Sequence, residues 1–90
     1  MNPEYHEWAR SIVARLTSEA ARYGWTASGA DRPVESGSCY VRFTKPSGAR
    51  GFTVRVSNHK PYGVRAKYNI LPGRESLIDD VTARFSQSAT

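Results

Sequence analysis

The chain has 90 residues, 13 lysines and arginines against 8 aspartates and glutamates, and 39% hydrophobic content. A chain this short buries only about 60–65% of its unfolded surface, enough for one modest core and too little for a two-domain enzyme. No apolar run approaches the roughly 20 residues of a membrane span, and Cys39, the sole cysteine, leaves no intramolecular disulfide and no cysteine-based zinc cluster. The expectation is a single domain over residues 1–90, in a reducing cytoplasm, with no membrane association and no cofactor.

Asn2-Pro3-Glu4 is a helix start: Asn caps, Pro fits the first helical position, and Glu complements the positive end of the macrodipole. Tyr5, Trp8, Ala9, Ile12, Val13, Leu16, Ala20 and Tyr23 then recur at the three-and-four spacing of one helical face. Gly24 ends the helix as a left-handed C-terminal residue. Residues 25–30 offer a short strand, with Gly29 and Pro33 working against it, and residues 31–37 read as a loop.

The period then changes to two. Cys39, Val41 and Phe43 alternate with Ser38, Tyr40, Arg42 and Thr44, and after a Lys45-Pro46-Ser47-Gly48 turn, Phe52, Val54 and Val56 alternate with Thr53, Arg55 and Ser57. This predicts a hairpin. A second turn over residues 58–63 leads to Val64, Ala66, Tyr68 and Ile70, which alternate with Arg65, Lys67 and Asn69 as a third strand. After Pro72-Gly73, Ser76-Leu77-Ile78-Asp79 has the form of a capping box, and Leu77, Ile78, Val81 and Phe85 give a closing helix one apolar side. Residues 86–90 are expected to fray into a disordered tail. The fold class is α+β: a two-layer sandwich, helix–three or four antiparallel strands–helix, with both helices on one sheet face.

Charge is segregated along this plan. Residues 36–74 hold eight basic side chains and no acid. Residues 1–35 hold four basic and five acidic side chains, and residues 75–90 one basic and three acidic. The middle is therefore +8 and the flanks −1 and −2, a field that attracts polyanions. If the helices cover the Cys39/Val41/Phe43 side, the open face carries Tyr40, Arg42, Thr53, Arg55, Arg65 and Lys67, with Lys45, Arg50 and Lys60 extending the patch at the turns. Arginines grip phosphates or carboxylates bidentately, and an aromatic ring stacks on a base. The plainer reading, that Arg and Lys merely blunt exposed strands, competes with it.

Few catalytic chemistries survive. His6 and His59 lie on different elements, and the strand region lacks the carboxylates that a metal site or two-metal nuclease needs. Cys39 falls on the inward face, as a buried structural thiol. One option is metal-free RNA cleavage, with His59 as base and the nearby Lys60, Tyr62 and arginines stabilising the transition state.

The run from Gly24-Trp25 through Gly37-Ser38, the Phe43-Thr44-Lys45-Pro46-Ser47-Gly48 turn and Thr53-Val54-Arg55-Val56 before His59 resembles the HicA-type mRNA interferase toxins. The resemblance covers roughly residues 16–60 and implies a fold similar to the double-stranded-RNA-binding domain. The family's catalytic histidine follows a Gly-Ser pair, and here Cys39 follows Gly37-Ser38. The lysines that double-stranded-RNA-binding domains carry at the start of the last helix are replaced by Glu75, Asp79 and Asp80. The segments 36–40 and 54–59 also look similar to small proteins of phages and mobile elements, the pool that includes anti-CRISPR proteins.

The expected function is a non-enzymatic binding module. Its basic sheet face docks onto nucleic acid, RNA first, or onto an acidic surface of a host nucleoprotein, as an inhibitor carried by a mobile element would. A ribonuclease using His59 and a purely protein-binding module, such as a homodimer joined through an edge strand, are the alternatives.

Overall fold

In the computed structural model, residues 3–29, 38–58 and 67–87 are described. They form α1 (Pro3–Arg22), β1 (Thr26–Ser28), β2 (Ser38–Thr44), β3 (Arg50–Ser57), β4 (Tyr68–Ile70) and α2 (Leu77–Gln87), an α+β arrangement. The sheet order is β1-β2-β3-β4.

The end of α1 follows from Gly24. At φ +82°, a conformation costly for any residue with a Cβ, it turns the chain so that the Gly24 amide donates to the Ala21 carbonyl at 3.0 Å and the Trp25 amide to the Ala20 carbonyl at 2.9 Å. This pair of bonds is a Schellman closure, and it satisfies carbonyls that the helix cannot pair itself. It also drops Trp25 straight into the core beside Ala20.

The two-residue period of β2 is realised: Cys39, Val41 and Phe43 are buried, while Tyr40 and Arg42 are exposed. Opposite them, antiparallel pairing sets Val41 against Val54 and Phe43 against Phe52. Between Phe43 and Thr44 the register slips, because Gly51 is an extra residue in β3. Only glycine fits there, since a Cβ would lie 2.6 Å from Trp25 Cζ3 and against the Phe43 carbonyl. The bulge brings Arg50 opposite Thr44, on the side of Tyr40 and Arg42.

Trp25, Phe43, Phe52 and Phe85 form the centre of the core, with Phe43 and Phe85 ring centroids 4.9 Å apart and Trp25 and Phe85 5.2 Å apart. Each such side chain contributes about 1.5–3 kcal/mol by burial, and edge-to-face rings add to this. The indole Nε1 of Trp25 donates to the Phe85 carbonyl at 3.1 Å, fixing the end of α2. The helices touch each other, α1 also touches β1 and β3, and α2 touches β4. Both helices send side chains into the one core cluster. At the other end of α2, Glu75 Oε1 accepts from Trp8 Nε1 at 3.1 Å and from the Gly73 amide at 2.8 Å, tying α1 to the α2 entry. Those donors, the Gly73 amide first, then Glu75's own amide and Trp8, hold the Glu75 carboxyl below its ordinary range.

Three expectations are corrected. The third strand is not antiparallel: β4 pairs parallel with β3, with Val54 opposite Tyr68 and Val56 opposite Ile70. Alternation fixes which face a residue occupies and carries no direction, so Tyr68 and Ile70 turn to the core as expected even though the chain runs the other way. The strand spans Tyr68–Ile70 and leaves out Lys67, which the alternation places in it; residues 64–66 lie outside the described residues. Finally, α2 extends to Gln87, so the proposed tail at 86–90 begins too early; residues 88–90 lie outside the described residues.

Candidate nucleic-acid interface

Register assigns the outer face of the sheet. Thr26 and Ser28 of β1 oppose Thr44 and Arg42 of β2. Tyr40 and Arg42 oppose Arg55 and Thr53 of β3, and Arg55 opposes Asn69 of β4. Among the described residues this face holds no acidic side chain. Its aromatic is Tyr40, the exposed large hydrophobic residue of the described chain, with 45% of its surface in solvent.

Tyr40 and Arg42 line one depression of about 210 Å³ together with Ser28, Gly29 and Thr53. Its wall depends on Gly29. That residue has φ +85°, and a Cβ on it would lie 2.6 Å from the Tyr40 carbonyl oxygen, so only glycine lets the end of β1 run this close to β2. From beneath, the Cys39 thiol donates to the Gly29 carbonyl at 3.7 Å. The floor is thus small residues, with a ring and a guanidinium along β2. In the row across the strands, Arg42 stands between the hydroxyls of Ser28 and Thr53.

The other expected site residues distribute unevenly. Arg50 is exposed on the outer side of the bulge. Lys45 is half-buried in the β2–β3 turn, where its amide donates to the Ala49 carbonyl at 3.0 Å. Lys67 is exposed, and its amide donates to the Thr53 carbonyl at 3.0 Å, which anchors it beside the depression. Lys60, Arg65 and the alternative base His59 lie outside the described residues.

Arg55 is the correction. It belongs to the outer face but is only 6% exposed, so it is not part of an open surface. It occupies the central strand between Tyr40 and Asn69, and its Nη2 donates to Ser38 Oγ at 3.1 Å. A buried guanidinium is tolerated when hydrogen-bonded, and this bond ties β3 to the start of β2. Its charge is also felt on the far side of the strand: burial first, and then Cys39, push the Tyr5 hydroxyl above its ordinary pKa, while Arg55 pulls the other way.

Cys39 is 4% exposed and packs in the core cluster, as expected of a buried thiol. Among the described residues no three His, Cys, Asp or Glu side chains gather as a metal site would require, and no helix is long and apolar enough to cross a membrane. Ser28 and Gly29 were missed as site residues from sequence. The signal that could have found them is a glycine directly after a three-residue strand, where a close backbone approach is the ordinary reason for glycine.

Compared with known proteins, the chain matches no family model, no curated protein and no solved structure.

Proposed function

We propose that the outer sheet face is a polyanion-binding surface and that the protein acts by binding nucleic acid, or a nucleoprotein, without catalysis. The observation that supports it is the shared depression of Tyr40 and Arg42 on a face whose described residues include no acid. A cation and a ring side by side are what a strand of nucleic acid needs, one for the phosphate and one for the base. Arg50, on the outer side of the bulge, and Lys67, exposed where its amide meets the Thr53 carbonyl, extend the field. The burial of Cys39, at the position where HicA-type toxins carry their catalytic histidine, supports the non-catalytic part of the reading. Its most concrete form is an inhibitor carried by a phage or mobile element that occupies the nucleic-acid path of a host machine.

Binding of labelled single-stranded RNA, duplex RNA and duplex DNA across a salt series tests this. The expected result is affinity that falls linearly on logarithmic axes with salt, with intact probes, and with Arg42→Glu weakening every probe. No binding at low salt would overturn polyanion recognition. Cut RNA would overturn the non-catalytic reading.

A further inference from the structure

We infer that the depression between β1, β2 and β3 takes one unpaired ribonucleotide of single-stranded RNA, its base stacked on Tyr40 and its backbone held by Arg42, Ser28 and Thr53. The inference rests on the nucleic-acid reading above and adds which form of nucleic acid the face selects. Size is the first reason. About 210 Å³ is below the ~300–1,000 Å³ typical of drug-sized sites, which suits a single base.

Layout is the second. Tyr40 and Arg42 are two residues apart on one face of β2, so their Cα atoms are separated by about 6.5 Å. The ring and the cation therefore serve neighbouring parts of one nucleotide. The Ser28–Arg42–Thr53 row places a hydroxyl on each side of the guanidinium. Hydroxyls donate and accept, as does the ribose 2′-hydroxyl that distinguishes RNA from DNA.

Duplex RNA fits less well for two reasons. Its bases are already stacked, which leaves Tyr40 without a partner, and duplex-binding domains need contacts spread over about 16 base pairs.

The test compares a labelled oligouridine, the DNA of the same sequence, and heparin, a polyanion without bases, as ligands of the full chain. Tyr40→Ala should weaken RNA binding about 5- to 150-fold, the range of one lost base stack, and leave heparin binding unchanged, while Tyr40→Phe should retain RNA affinity. DNA should bind more weakly than RNA. Uridine monophosphate should perturb the amide resonances of Ser28, Gly29, Tyr40, Arg42 and Thr53 in the wild type, a readout that needs no variant to fold. Unchanged RNA affinity in Tyr40→Ala, equal losses on RNA and heparin, or equal affinity for RNA and DNA would overturn the ribonucleotide site while leaving polyanion binding standing. A wild type that binds neither RNA nor heparin would overturn both.

Discussion

Between Cys39 and Phe43 the side chains of β2 change sides at every residue, and their environment changes with them: Cys39, Val41 and Phe43 enter the core, whereas Tyr40 and Arg42 stay in solvent. The inner set is held by volume. Phe43 meets Phe52 and Phe85, and shape there carries the stability of the whole domain. The outer set costs the fold almost nothing, so its chemistry is open to a ligand. What β3 teaches is that the division is not clean. Arg55 lies on the outer side and is buried all the same.

The largest effect should come from breaking the inner set. Phe85→Ala removes the ring that touches Trp25, Phe43 and Phe52 and should cost about 3–5 kcal/mol in denaturant unfolding, a large fraction of the ~5–15 kcal/mol that native domains have. Next comes the exception. Arg55→Ala removes the bond to Ser38 and should cost about 1–3 kcal/mol, with the affinity of the molecules that stay folded little changed. If Arg55→Ala instead left stability intact and weakened binding, Arg55 would rejoin the binding face.

A surface change sharpens the comparison from the other side. Arg42→Ala should leave stability within about 0.5 kcal/mol and reduce the slope of log affinity against log salt for single-stranded RNA by about 0.7. The smallest effect lies on neither face. Glu75 is held below its ordinary range, so its contribution is present above the unfolded-state value and is lost as pH falls through the folded one. Glu75→Gln should therefore flatten the decline of Tm at acid pH without moving the salt slope, and thermal scans between neutral and acid pH check it.

Much of the frame was legible because it rests on local chemistry. The stripe from Tyr5 to Ala20 and the alternation through Phe43 and Val56 state which residues face inward, and those residues are buried apart from Trp8, which is half-buried against the core. What the chain order could not convey is non-local. The direction of β4 depends on how the chain returns after β3, and no residue of Tyr68–Ile70 encodes it. The burial of Arg55 depends on its place in the central strand, while its identity argues for the surface. The depression exists because Gly29 approaches Tyr40 from a different strand. Of the site, the two residues on β2 could be read from alternation and charge; the wall and floor required the sheet to be assembled.

The position of Cys39 has a kinetic meaning. Its sulfur is closed off within the core and bonded to the Gly29 carbonyl, so a thiol reagent reaches it only when β2 opens. A thiol that is shielded in the native state and unique in the chain makes the rate of its modification a clock for that opening. The same shielding keeps intact molecules from cross-linking by oxidation, so covalent dimers accumulating in air would measure how often the sheet comes apart.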